Sequence, residues 1–261
     1  MIHTENQIIS SASDETDMHQ LEASSKAGDA HASLLLGAAY REGKGVRKDE
    51  RRARRLFGEA ADGGEHTALV CLGDMESESG DRGRAEQLYL AASSRRVPEA
   101  ESRLAHLYTE TGDHASALDH AERGAVCGMQ DCMLILGRMH YHGIGTEEDH
   151  MHALYWFSRC CRTYPEAMRC VGLIRMEKGE PYFDMFKGLA ALRCAADRRD
   201  TEAKEKLLEL RLDAETDGLP DDYFDPPEIP QYTEPVLERM EKDVPLPVPP
   251  AHGMLSRLLR R

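Results

Sequence analysis

The chain has 261 residues, 41% of them apolar and 31% charged, with a mean hydropathy of −0.57. That is a globular composition with enough length to bury a core without disulfide or metal staples. A formal net charge of −14 repels nucleic-acid backbones and anionic lipid, and no apolar stretch approaches the ~18 residues of a membrane span. Neither nucleic acid nor a membrane is therefore expected as a partner.

Residues 1–13 open Met-Ile-His-Thr-Glu-Asn-Gln, and no basic residue precedes Lys26. They lack the basic and apolar parts of a secretory signal, which predicts a flexible segment on a cytoplasmic protein, with export by a signal-independent route left open. A helix is expected from about Asp14 to Ala27, with Met18 and Leu21 turned toward the structure that follows.

From there to residue 212 two landmarks keep one period. A Leu-Gly type pair stands at Leu36-Gly37, Leu72-Gly73, Leu104-Ala105, Leu136-Gly137 and Val171-Gly172, in steps of 36, 32, 32 and 35 residues. A pair of small residues tracks it at Ala60-Ala61, Ala91-Ala92, Gly124-Ala125, Cys160-Cys161 and Ala195-Ala196. Between them the apolar spacing is helical, as in Leu36 with Tyr40 or Leu104 with Tyr108, so each period reads as two helices. Long connections run from Gly43 through Gly45 to Asp49 and from Gly143 through Gly145 to Asp149. Short ones are Gly80-Asp81 and Gly112-Asp113. In each, glycine stops one helix and aspartate caps the next. A lone pair cannot bury both of its apolar faces, so neighbours must stack. The predicted fold is an all-α, right-handed superhelical solenoid of antiparallel helix pairs over 14–212, about five repeats with a half-unit in front and Thr201–Leu212 as a cap.

Residues 213–261 change character, with eleven acids against five bases and nine of the twelve prolines. An extended tail is expected, with Tyr223 and Phe224 as candidate contacts on the solenoid or on another protein.

The run Ala32, Leu36-Gly37, Tyr40, Gly43, Gly45-Val46, Asp49, Ala53, Phe57, Ala60-Ala61, Gly64, and its copy from Leu136-Gly137 to Trp156-Phe157, resemble Sel-one-like (SEL-like) repeats. The two middle units, with Gly-Asp turns followed by Ala85 or Ala117, resemble tetratricopeptide repeats. Ala105 in place of glycine, His140 in place of tyrosine and Gly188 in place of alanine depart from the pattern. The resemblance implies a non-enzymatic scaffold or adaptor that binds a protein or peptide in a concave groove lined by the first helix of each pair. Carried over position by position, it points to Arg41, Asp74, His106, Arg138, Tyr141 and Arg169. It adds Ala38, Ser77, Thr109, Leu173 and Met176, and the residues three before the glycine, Leu34, Val70, Ser102 and Leu134. Arg138, Tyr141 and Arg169 together suit a peptide carboxylate.

Other chemistry is weak. His140, His142, His150 and His152 bracket one loop beside Glu147, Glu148 and Asp149, and can be read as a zinc or nickel site. Three of them replace Glu42, Glu50 and Arg52 of the first repeat, which are ordinary solvated positions, so no metal or other cofactor is expected. The cysteines replace small apolar residues and read as packing. The resembled family also has secreted, cysteine-rich members associated with β-lactam binding, but their regular cysteine pairing is absent. No His-Glu-x-x-His, Gly-x-Ser-x-Gly, Ser-x-x-Lys or phosphate loop occurs, so no catalytic residue is expected. Two rival readings are an immunity- or chaperone-type inhibitor whose tail covers the groove, and a metal-dependent or β-lactam-processing enzyme at the histidine loop.

Overall fold

The computed structural model describes residues 15–210, and among these it contains twelve α-helices and no strand. The N-terminal segment 1–13 and the tail 213–261 with Tyr223 and Phe224 lie outside the described residues. The chain divides into two compact units at Arg103/Leu104.

The first unit holds α1 (Glu15–Lys26), α2 (Ala30–Glu42), α3 (Glu50–Asp62), α4 (Thr67–Glu78), α5 (Arg82–Ser93) and the start of α6 (Pro98–Thr111). Within it α1 packs on α2, α2 on α3, α3 on α4 and α4 on α5. The second unit holds α7 (His114–Val126), α8 (Gln130–His142), α9 (His150–Cys160), α10 (Pro165–Arg175), α11 (Met185–Asp197) and α12 (Thr201–Glu209), again in consecutive contact. Within each unit, helices adjacent in sequence thus bury their apolar stripes against one another, which is the fold class of an all-α solenoid of helix pairs.

The helix limits follow from capping chemistry. Asp29, Asp49, Asp81, Asp113, Asp149, Asp184 and Asp200 each turn a side-chain oxygen onto an orphan amide of the following first turn. Gly43 and Gly143 end α2 and α8 at φ 75° and 64°, a conformation open to glycine at little cost. The long connections are closed by the Asp49 amide donating to the Tyr40 carbonyl at 2.9 Å and by the Asp149 amide donating to the His140 carbonyl at 2.8 Å. A third connection, residues 176–184, closes the same way through Asp184 and Arg175 at 2.7 Å and has no glycine signature like theirs.

The Leu-Gly glycines are there because an aromatic ring lies over them. A Cβ on Gly37 would stand 2.8 Å from Phe57 Cδ1, and one on Gly137 would stand 2.5 Å from Phe157 Cδ1; Gly73 meets Tyr89 in the same manner. Both phenylalanines are wholly buried. Ala105 replaces the glycine where the ring has become Ala121, so the extra methyl fills space the aromatic leaves. Gly188 departs from alanine because a Cβ there would collide with Met176 Cγ and stand 2.9 Å from the Gly172 carbonyl oxygen.

The half-unit also follows the sequence: Met18 is buried and reaches the loop at Gly45. The second unit's core runs from Ala105 to Leu207 and takes in Cys132, Cys160, Cys161 and Cys170 as small apolar fillers. None of the seven cysteines forms a disulfide. Burial pushes the Cys160 and Cys170 thiols up to about 12, so neither supplies a thiolate nucleophile at neutral pH.

Candidate partner surface

The residues expected to line a groove separate into a buried set and a polar set. Leu34, Ala38, Val70, Ser102 and Leu134 are buried, which removes them from any lining. Most lie in the first half of a first helix, where the helices on either side cover them. The accessible face is therefore narrower than the sequence positions imply.

In the polar set, Arg41, Asp74, Arg138 and Arg169 are held in ion pairs that link successive first helices. In the first unit, Arg41 on α2 donates to Glu78 at the end of α4 at 2.8 Å. Asp74 on α4 accepts two bonds from Arg103 on α6, at 2.7 and 3.1 Å, and a third from the Tyr89 hydroxyl at 2.7 Å. Burial and the Asp74 charge raise the Tyr89 phenol far above its ordinary range, so it acts only as a donor. Beneath this face Glu76, almost fully buried, is clamped by Arg54 and by Arg84, the latter at 3.4 Å.

In the second unit, Arg138 on α8 makes a forked contact with Glu166 in the first turn of α10, with Nε to Oε1 at 2.7 Å. Arg169 on α10 reaches the Asp200 cap of α12 at 3.2 Å and Glu202 at 2.9 Å. His106 is exposed on α6. Tyr141 is half-buried, stacks on His150 at 5.0 Å and meets Phe157 edge-on at 6.3 Å; burial raises its phenol above the ordinary value.

The structure thus alters the expected carboxylate receptor of Arg138, Tyr141 and Arg169. Both guanidinium groups already hold carboxylates of this chain, so an incoming acid must displace Glu166 or Glu202, whose side chains are 33% and 69% exposed. Sequence reasoning missed Glu78, Arg103, Glu166, Asp200 and Glu202 as partners. The available signals were an acid in the first helical turn after Pro165 and the Asp200 cap signature.

The histidine loop does not converge on a point. His150 lies between Glu148 at 3.1 Å and Glu177 at 2.6 Å, and His152 faces Asp149 at 2.7 Å. His140 stacks on His152 at 5.0 Å. Among the described residues no group of three or more His, Cys, Asp or Glu can hold a metal ion. Among the same residues no helix is long and apolar enough to cross a membrane.

Stacked helix pairs with a polar, ion-paired face define a helical-repeat protein. Residues 30–65 and 130–162 match the Sel1 repeat, and this chain is a Sel1-like repeat helical protein. Sel1 repeat proteins generally mediate protein–protein interaction. A crystal structure of a Sel1 repeat protein from Oxalobacter formigenes shares the fold at TM-score 0.63 and 20% identity, over 78% of this chain and 93% of that one. A protective antigen of uropathogenic Escherichia coli strains, displaying an SLR fold, matches at TM-score 0.50 and 20% identity, over 77% of this chain and 54% of that one. The ERAD-associated E3 ubiquitin-protein ligase component HRD3A of Arabidopsis thaliana is 26% identical over 64% of this chain, which spans 28% of that relative's length.

Proposed function

We propose that this protein is a non-enzymatic adaptor, acting in a reducing cytoplasmic compartment, whose first-helix face binds a protein or peptide partner. The observation that carries the reading is the set of cross-helix ion pairs made by Arg41, Asp74, Arg138 and Arg169. Of these, the Arg138–Glu166 pair is open to solvent, with side chains 45% and 33% exposed, so it exchanges partners at little net cost, while Arg41, Asp74 and Arg169 are 12–15% exposed and are held more firmly. Support comes from the interaction role general to Sel1 repeats and from a relative named as a component of a ligase assembly. The all-thiol cysteines suit a reducing compartment.

The test is affinity capture from the native cell with the wild type and with Arg138→Glu plus Arg169→Glu, after circular dichroism has shown the variant folded. Loss of one specific partner, restored when the partner's complementary charge is reversed, supports this face. Retention of every specific partner assigns binding elsewhere.

A further inference from the structure

Residues 44–55 read Lys-Gly-Val-Arg-Lys-Asp-Glu-Arg-Arg-Ala-Arg-Arg, seven bases against two acids, in a chain whose net charge is −14. They form the α2–α3 connection and the start of α3. The copy at 144–155 keeps the glycine at positive φ, Gly145, and the Asp149 cap, yet carries no lysine or arginine and three acids, Glu147, Glu148 and Asp149. The backbone of this connection therefore forms without the cations, and their presence calls for another explanation.

The cations are also accessible. Arg47, Lys48, Arg51, Arg52 and Arg55 are all exposed. Lys48 meets Glu50 at 3.0 Å, Arg52 meets Asp49 at 4.0 Å and Arg55 meets Glu59 at 3.6 Å, exposed pairs that bind their charges weakly. Among the described residues Arg47 and Arg51 have no ion pair. Between them opens a cleft of about 950 Å³ lined by Tyr40, Val46 and residues 47–52. At physiological salt, charges beyond about 8 Å are screened, so the distant acids do not cancel this local field.

We propose that this cleft docks an acidic polypeptide segment, on a surface separate from the first-helix face. Arg47 and Arg51 offer planar donor forks to carboxylates, while Val46 provides a half-buried apolar floor for side-chain methylenes. Asp49 and Glu50 interrupt the cation array, which disfavours the evenly spaced phosphates of a nucleic acid. A peptide can place its acids on either side of that interruption.

The experiment titrates the full chain into a labelled oligoglutamate peptide and follows fluorescence anisotropy. Binding is expected to be saturable, to weaken with salt, and to fall by at least about 10-fold in Arg47→Glu plus Arg51→Glu. Arg47→Gln plus Arg51→Gln should lose less. Lys178→Glu plus Lys204→Glu, which makes the same change in net charge on exposed lysines of the second unit, should bind as the wild type does. Equal losses in the two charge-reversal variants, or no saturable binding by the wild type, would overturn the site. Tighter binding of a labelled oligothymidylate through the same two arginines would overturn the peptide assignment in favour of nucleic acid.

Discussion

The repeats at 30–65 and 130–162 share a skeleton and differ almost everywhere the skeleton does not reach. Gly37, Gly43, Gly45, Asp49, Ala53 and Phe57 recur one hundred residues later as Gly137, Gly143, Gly145, Asp149, Ala153 and Phe157. These are the residues that stop a helix, cap the next, or let a ring lie on a backbone. Arg47 and Lys48 become Glu147 and Glu148, and Ala60-Ala61 become Cys160-Cys161. Steric fit fixes the first group and keeps the buried pair at 60–61 and 160–161 small, while solvent leaves the charge at 47–48 and 147–148 free to serve binding.

Tyr40 and His140 show how one skeleton position takes two chemistries. The Tyr40 hydroxyl donates to Glu22 at 3.2 Å and accepts from Arg52 at 2.6 Å. His140 stacks on His152, and its buried Nδ1 has no hydrogen-bond partner. Burial, and after it the neighbouring His152 charge, lower the imidazole from 6.5 to about 4.

Five substitutions test whether the shared skeleton is energetically shared. The largest effect is expected from Phe57→Ala and Phe157→Ala, each costing about 3–5 kcal/mol in urea denaturation through the cavity left over the facing glycine. A much smaller loss at either site would show that its repeat is looser than its twin. Gly137→Ala follows, at about 1–3 kcal/mol of overpacking against Phe157 that outweighs alanine's better helix propensity. Gly37→Ala should cost less because its ring stands farther off, and Ala105→Gly only about 0.5–1 kcal/mol because no ring faces it.

Asp49→Ala should cost about 1 kcal/mol for the lost cap. Asp149→Ala should cost more, since Asp149 also holds His152. Equal losses would show that the His152 contact adds nothing. The last test is a pH dependence centred on His140 of the second repeat. His140 is neutral in the folded state down to about pH 4, whereas an unfolded imidazole takes up a proton near 6.5. Its contribution to stability is therefore complete above pH 6.5 and lost as pH falls through 4. Thermal unfolding across that window should show a steeper decline for the wild type than for His140→Tyr, which restores the first repeat's residue. Identical slopes would remove His140 as the cause.

Much of this fold is legible in one dimension because its contacts are local. The Leu-Gly and small-residue pairs mark helix crossings, and Gly43, Asp49, Gly143 and Asp149 announce the connections before any coordinate is known. The connection at 176–184 was not readable, because it reaches the same closing bond without the glycine pair. The surface was read only in part. Positions carried over from the resembled repeats put Arg138 and Arg169 on first helices, but their partners Glu166 and Asp200 belong to the next first helix, about thirty residues on.

By itself the sequence determined the period, most of the helix limits and the all-α class, since each rests on steric rules acting within a turn or between consecutive helices, whereas the aromatic rings lying over Gly37, Gly73 and Gly137 emerged only from the packing. Only tertiary structure decided which polar residues remain available to a partner. Burial of Leu34, Val70 and Leu134, and the capture of Arg138 and Arg169 by carboxylates of neighbouring helices, depend on distances that stacking sets and periodicity does not encode.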